Sequence, residues 1–380
     1  MADFSFLEFF CGGGMARAGL GERWDCLFAN DFDAKKGASY ARNWGEGALT
    51  LKDVRTLEAA DIPLHADLAW ASFPCQDLSL AGMGAGLAGE RSGAFWPFWR
   101  LMRRLGDEGR APAMIALENV CGALTSHGGA DFRALGEALG EGGYRFGAIV
   151  ADAVDFTPQS RPRLFILAVS KSRDIPNFLL ADDGASRWHP PALLEAWKGL
   201  SERARRDWLW WRLPEPPRRN TRLIDLVEDA PCDAPERTER LLSLMSPLHL
   251  RKIEQARAER RPLVGAVYRR TRRDSNGGRL QRAEVRFDGV AGCLRTPAGG
   301  SSRQTIVLVE GDSVRSRLLT AREAARLMGL PDSYHLPRTY NDAYHLVGDG
   351  VVAPVVRHLA EHIFEPILSP LARGDAAHET

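Results

Sequence analysis

The chain has 380 residues, 44% of them hydrophobic and 26% charged, which is ordinary globular usage and excludes a disordered or fibrous protein. That length suits two domains, or one large domain with an insertion. Fifty basic against forty-nine acidic residues leave a formal charge of +1, which argues against a uniform nucleic-acid coat but permits a local basic face.

The opening MADFSFLEFF lacks the basic region and small-residue cleavage site of a secretory signal. No apolar run reaches the roughly 18 residues of a membrane span. The six cysteines, at 11, 26, 75, 121, 232 and 293, form no CxxC or CxxH, so neither a disulfide framework nor a zinc site is favoured. A cytoplasmic protein with reduced thiols, one of them free to act as a nucleophile, and with no metal or membrane partner, is the expectation.

Strands are predicted at Phe4 to Phe10, Asp25 to Asn30, Asp67 to Phe73, Ala113 to Leu117, Phe146 to Ala151 and Leu164 to Val169, with helical stretches around 34–43, 93–105 and 131–140. This alternation predicts a doubly wound α/β domain with a mostly parallel sheet, whose ligands bind in the loops beyond the carboxyl ends of the strands.

The first strand ends in Phe10, Cys11 and Gly12 to Gly14, a turn that lets a ligand approach backbone, though a glycine turn between strand and helix is common by itself. The next strand ends in Asn30-Asp31-Phe32-Asp33. Asp31 falls about 20 residues after the glycines, where dinucleotide folds bind ribose hydroxyls, or else it caps the following helix. With Asp53 and Val54 the set fits an adenosine moiety, and the loose glycine pattern favours S-adenosylmethionine over a dinucleotide.

Further along, Phe73-Pro74-Cys75-Gln76 places a thiol at a strand end, and the glycine-rich stretch from Ser79 to Ser92 has the composition of a lid. MIALENV ends in Glu118 and Asn119, where the carboxylate is either a helix cap or a general acid near the thiol. In Gln159-Ser160-Arg161-Pro162-Arg163, the two arginines at alternating positions are expected on one side of a strand, gripping a polar ligand or pairing with surface acids.

Beyond Val169 five of the ten tryptophans fall between Trp188 and Trp211, which reads as a boundary. From Arg251 to Arg282 there are eleven Lys or Arg against three acids, which fits either a solvated helix face or a nucleic-acid contact. LLTAREAARLM, at 318–328, predicts a helix with Thr320 as N-cap and Glu323 completing a capping box. A last amphipathic helix is predicted from about Val352 to Phe364.

PCQ at 74–76, ENV at 118–120, QSRPR at 159–163 and LLTAREAARLMGLPDSY at 318–334, in that order, resemble the DNA (cytosine-5) methyltransferases of bacteria and phage. The resemblance covers 4–170 and about 285–362. It implies an S-adenosylmethionine-dependent methyltransferase fold with a smaller target-recognition domain. The implied division is a catalytic domain over 1–172, a recognition domain over 173–334, and a segment over 335–380 that packs back on the catalytic domain. It implies Cys75 as the nucleophile toward C6 of cytosine, Glu118 as the group that protonates N3, and Arg163 as their partner, with Arg161 and Gln159 on the same wall.

By the same resemblance Phe10, Gly12, Gly14, Asp31, Phe32, Asp53, Val54 and Asp349 hold the cofactor, while Pro74, Gln76, Asn119, Arg91 and Ser92 face the base. The expected partner is duplex DNA, with a separate cognate restriction endonuclease in a restriction system, and the expected state is a monomer. Methylation of cytosine in tRNA is the alternative substrate; a DNA-binding regulator without turnover is the alternative class. Three positions depart from the family pattern: Met15 follows Gly14 where the family usually has glycine, Asp349 replaces the asparagine of its G-N-x-V motif, and Cys293 the threonine of its threonine-leucine pair.

Overall fold

In the computed structural model the described residues are 2–62, 65–73, 94–273, 278–295 and 303–369. They fall into two compact units, the first comprising Met1–Ala151, Pro162–Glu215 and Val355–Thr380, the second Asp152–Arg161 and Pro216–Pro354.

The first unit is built on seven strands: β1 (Phe4–Phe9), β2 (Trp24–Asp31), β3 (Leu49–Leu51), β4 (Leu68–Ala71), β5 (Met114–Val120), β6 (Tyr144–Asp152) and β7 (Pro162–Ser170). Their order is β3-β2-β1-β4-β5-β7-β6. β3, β2, β1, β4 and β5 run parallel, and β7 is antiparallel to β5. Helices α1 (Met15–Leu20), α2 (Ala34–Trp44), α3 (Phe95–Asp107) and α4 (Ala130–Glu141) connect them. Strands covered on both faces need apolar side chains throughout, and all four residues of β4, LAWA, are buried. Strand order reverses between β1 and β4, and a ligand cleft in such sheets opens at that reversal.

Each predicted strand and helix of this region is present. Two elements had escaped prediction, β3 with three residues and α1 with six, both too short to show a hydrophobic period.

The tryptophan-rich stretch lies in the first unit, whereas the division implied by the resemblance puts it in the recognition domain. β8 (Leu180–Ala181), α5 (Pro191–Lys198), α6 (Glu202–Arg206) and β9 (Trp210–Trp211) form a strap along β6. Phe146 N donates to Asp207 O at 2.8 Å, and Leu209 N to Phe146 O at 2.7 Å. The edge strand of the sheet is thereby covered. Trp208 packs edge-on against Phe146 and Phe132. Gly147 is obligatory here, since a Cβ on it would lie 2.0 Å from Leu209 O.

The second unit holds α7 (Leu223–Leu226), α8 (Pro235–Ser243), α9 (Pro247–Ala258), β10 (Leu263–Arg273), β11 (Arg279–Arg286), β12 (Thr305–Glu310), β13 (Ser313–Leu318), α10 (Ala321–Leu327) and α11 (Tyr340–Asp349). The strands form an antiparallel sheet in the order β11-β10-β12-β13. Leu241 of α8 and Ile253 of α9 pack on Val267, Val285 and Val307 of the sheet. The basic run from Arg251 to Arg282 is therefore no single helix face: α9 ends at Ala258, and the remainder is mostly hairpin.

The predicted capping box stands. Thr320 Oγ1 accepts from Glu323 N at 3.1 Å, and Thr320 N donates to Glu323 Oε2 at 2.8 Å. Glu323 also forms a buried two-pronged pair with Arg317 at 2.6 and 2.8 Å.

The chain returns to the first unit through α12 (Ala353–Leu359), a π-helical turn (Ala360–Phe364) and α13 (Glu365–Leu368). Glu365 is buried and accepts from Trp24 Nε1 at 3.1 Å, with Arg23 and Arg357 as ion-pair partners. Among the described residues no helix is long and apolar enough to cross a membrane.

Candidate active site

β1 stops one residue short of its predicted end because Phe10 takes a left-handed backbone, φ 56°, which a strand cannot hold. Gly12 and Gly14 follow at 53° and 75°. They differ in surroundings: a Cβ on Gly14 would lie 2.4 Å from Trp44 Nε1, whereas one on Gly12 would meet nothing within 4 Å. Gly14 is thus fixed by packing, and Gly12 faces open space.

The Asp31 carboxylate is buried and accepts from Gly12 N and from Asp33 N, each at 2.9 Å. Asp31 therefore braces the glycine turn. The cap of α2 is Asp33, which accepts from Lys35 N at 2.8 Å and Lys36 N at 3.2 Å. Beside the buried Asp31, Phe32 is 74% exposed. After β3, Asp53 accepts from Arg55 N at 2.9 Å, and Val54 is buried. Register pairs Phe9 with Asn30 and Asp31 with Leu51. Phe10, Asp31 with Phe32, and Asp53 accordingly stand at or just beyond the ends of three adjacent strands, each about 4.8 Å from the next.

Beneath the turn lies a group that the sequence reading passed over. Strand alternation puts Glu8 on the same face as Phe4 and Phe6, and it is 2% exposed with no hydrogen-bond partner for Oε2. Burial pushes its carboxyl up to about 8, against the pull of the Arg17 and Ala16 amides and the Arg17 charge. One acid inside the apolar FSFLEFF was the available signal.

At the other side of the strand reversal, Arg163 Nε lies 3.2 Å from Glu118 Oε1, with both side chains largely buried. Val120 pairs with Arg163 and Glu118 with Phe165, so the ion pair runs diagonally across the β5–β7 ladder. Asn119 Nδ2 donates to Phe73 O at 3.0 Å, and its Oδ1 accepts from Val120 N at 2.9 Å. Neither Glu118 nor Asn119 caps a helix. Pro74, Cys75, Gln76, Arg91, Ser92 and the lid expected from Ser79 to Ser92 lie outside the described residues.

Arg161 and Arg163 are not brought together on one side of a strand. Arg161 belongs to the second unit, is 2% exposed, and donates to Leu294 O at 2.6 Å, Gly350 O at 2.7 Å and Gly348 O at 3.0 Å. Gln159 is fully buried, its Nε2 on Leu327 O at 3.0 Å and its Oε1 accepting from Leu294 N at 2.9 Å. In this unit both residues bind backbone. Asp349 is exposed at the end of α11, and Cys293 Sγ lies 3.5 Å from Arg161 Nη1.

Ser126, His127 and Asp131 have the composition of a hydrolytic triad but not its geometry. Ser126 Oγ and Asp131 Oδ2 both meet the same ring nitrogen, His127 Nδ1, at 3.2 and 2.8 Å. A relay requires the two opposite nitrogens. No cluster of three or more metal-ligating side chains occurs among the described residues.

A family model described as C-5 cytosine-specific DNA methylase matches residues 4–365. The chain is similar to the type II methyltransferase M.NlaX of Neisseria lactamica, 26% identical over 364 residues that cover 95% of this chain and 96% of that protein. It is also similar to the type II methyltransferase M.HhaI of Haemophilus parahaemolyticus, 26% identical with coverage of 96% and 95%. Among solved structures, a methyltransferase of Entamoeba histolytica, EhMeth, matches with a TM-score of 0.63 at 14% identity, covering 97% of this chain and all of that one. The Dnmt2 methyltransferase of S. pombe matches with 0.57 at 18%, covering 96% and 100%. At such identities the structural matches speak to the fold.

Proposed function

The chain belongs to the C-5 cytosine-specific DNA methylase family, whose members are S-adenosylmethionine-dependent DNA (cytosine-5) methyltransferases, and on that premise we propose that it methylates a cytosine within a specific duplex sequence through a transient bond to Cys75. The observation that carries this reading is the Arg163–Glu118 pair, a carboxylate and a guanidinium held 3.2 Å apart at a strand end. Asn119 supports it by joining the residue after Glu118 to Phe73, two residues ahead of Cys75 in the chain.

The residues at the β1–β3 ends suit the cofactor. The exposed Phe32 offers a ring for stacking on adenine, Asp31 and Asp53 offer ribose and base contacts, and Gly12 opens onto free space. S-adenosylmethionine, when bound, supplies an electrophilic methyl carbon.

In the scheme, the Cys75 thiolate adds to C6 while Glu118 delivers a proton to N3, so that C5 gains carbanion character. Arg163 orients Glu118 and faces the base. Once C5 carries the methyl group, loss of the C5 proton, expulsion of the Cys75 sulfur and return of the N3 proton to Glu118 restore the neutral ring, the thiolate and the acid. A stacked base cannot be approached from its face, so the cytosine is turned out of the duplex. The type II names of the relatives favour a role beside a separate endonuclease whose site this methylation protects.

Transfer of labelled methyl to mixed-sequence duplex DNA and, in parallel, to total tRNA tests the reading, with Cys75→Ser as control. Label in 5-methylcytosine of DNA that the variant loses is expected. Label confined to tRNA would overturn the substrate; a variant that retains full transfer would overturn the nucleophile.

A further inference from the structure

Gly12, Gly13 and Gly14 carry the chain from β1 into α1, and glycine is the residue with the most backbone freedom to lose. A turn of that composition keeps one shape only if groups around it hold it. Gly14 N donates to Cys11 O at 2.7 Å, and Cys11 N donates to Asn30 O at 2.9 Å. Asp31, at the end of β2, holds Gly12 N. The Gly13 carbonyl is held from a different element: Trp44, the last residue of α2, donates to it from Nε1 at 2.9 Å.

The sequence of α2 explains how its last residue reaches a turn that follows β1. Tyr40 and Trp44 are four positions apart and share one face of the helix. Long side chains on a helix lean toward its N-terminus, and α2 starts beside Asp31 and Phe32. Both rings meet the turn, since a Cβ on Gly14 would lie 2.8 Å from Trp44 Cδ1 and 3.0 Å from Tyr40 Cε2. Arg17 of α1 joins them: its Nη1 donates to Tyr40 OH at 2.8 Å, and its guanidinium lies 5.1 Å from the centre of the Trp44 ring, within range of a cation–π attraction. Met15, which stands where the family usually has glycine, is 2% exposed and opens α1. The turn therefore ends at Gly14, and its hold depends on the side chains of β2 and α2.

We propose that Trp44 is a positioning residue for the cofactor: its indole N–H fixes the Gly13 peptide and thereby keeps Gly12 in the left-handed shape that leaves open space for S-adenosylmethionine. The proposal rests on the cofactor reading above and adds a residue that acts through the turn. Releasing Gly13 O lets the glycines populate other shapes, and apparent affinity falls with the fraction of molecules that hold the competent one. The proton transfer assigned to Glu118, across the strand reversal, is left alone.

The test compares full-length wild type, Trp44→Phe and Trp24→Phe by calorimetric titration with S-adenosylhomocysteine, steady-state methyl transfer to mixed-sequence duplex DNA, and thermal melting. Both substitutions delete one indole donor and keep an aromatic ring. Trp24, at the start of β2, donates to Glu365, away from the turn. Trp44→Phe is expected to raise Kd for S-adenosylhomocysteine and KM for S-adenosylmethionine about two- to tenfold, the range for one net hydrogen bond, with kcat at saturating cofactor unchanged. Trp24→Phe is expected to lower the melting temperature and to leave both constants at their wild-type values. Trp44→Tyr fills more of the space, lacks the same donor and is expected to match Trp44→Phe, so it serves if the first variant does not fold. A folded Trp44 variant with wild-type Kd, a fall in kcat with KM unchanged, or an equal rise of Kd in Trp24→Phe overturns the proposal while wild-type cofactor binding stands. Wild-type protein that neither binds S-adenosylhomocysteine nor transfers methyl overturns the parent reading with it.

Discussion

Arg163 reaches Glu118 diagonally across an antiparallel ladder, Nε to Oε1 at 3.2 Å, so the carboxylate is steered by a neighbouring strand rather than by its own loop. Removing the acid and altering its steering should therefore differ. Glu118→Gln is expected to lower kcat about 10²- to 10⁴-fold, the range for loss of a general acid, with duplex affinity retained. Arg163→Lys keeps the charge, loses the planar fork and should cost less. Single-turnover methyl transfer separates the two, and an unchanged kcat in Glu118→Gln would remove the acid from the mechanism.

Asp31 has two tasks, the brace on Gly12 N and the proposed ribose contact, whereas Phe32 has only its exposed ring. Asp31→Ala should weaken cofactor binding by about tenfold or more, since hydrogen bonds to a charged group are worth about 1.5–3 kcal/mol. Phe32→Ala should remove about 1–3 kcal/mol of stacking and leave the melting temperature unchanged. Calorimetric titration with S-adenosylhomocysteine reads both.

Glu323 accepts from Thr320 N and Glu228 N and holds both prongs of Arg317, inside the second unit. Burial alone would raise its carboxyl, and the Arg317 pair with those amides outweighs burial to lower it. Glu323→Ala leaves a buried guanidinium uncompensated. The expected loss is about 3–5 kcal/mol, read as a drop in the denaturation midpoint of the second unit. An effect under about 1 kcal/mol would mean that the pair contributes little.

Stability should pass through a maximum near pH 6.5. Burial holds Glu8 protonated in the folded chain up to about pH 8, so its contribution is complete below the ordinary carboxylate range and is lost as pH rises to about 8. His189 and His358 move the other way: burial pushes each imidazole down to about 4, so their contribution is complete above about 6.5 and lost as pH falls toward 4. Each group changes stability by at most about 1.4 kcal/mol per pH unit within its window. Glu8→Gln should flatten the alkaline side and steepen the acid side, where loss of the Glu8 contribution otherwise offsets part of the histidine gain, and chemical denaturation at pH 5, 6.5 and 8.5 reads the difference. A Glu8→Gln profile that falls above pH 6.5 as steeply as wild type would clear Glu8 of the effect.

Four of the parallel strands, β1, β2, β4 and β5, were legible because each is an apolar run bounded by glycine, proline or acid, and the ends of β2 and β5 located Asp31 and Glu118, whereas Asp53 follows β3, which is too short to show a period. Arg161 was misread for a physical reason. Side-chain alternation holds only inside a strand, and β7 begins at Pro162, so the rule that oriented Arg163 did not reach its neighbour two residues earlier. Composition marked the tryptophans only as a boundary, because it reports that large rings must be buried without saying against what. Here they cover β6, a long-range partner that no local pattern encodes. Glu8 was passed over because a charge within an apolar strand looks like a flaw until its burial is known.

The last helical turns impose an order on the protein's birth. Glu365 and Trp24 are separated by 341 positions yet share a buried hydrogen bond, and Arg357 reaches Leu20 O. While a ribosome is still reading the messenger, the segment around Trp24 waits for 341 further residues to be made before this neighbour exists. A nascent chain released before codon 355 would leave that wall of the first unit unsealed, with Phe364 missing from its place beside Trp24 and Trp70. Products that end before this segment should therefore be substrates for chaperones and proteases, and methyl transfer should begin only once the segment has been made and packed.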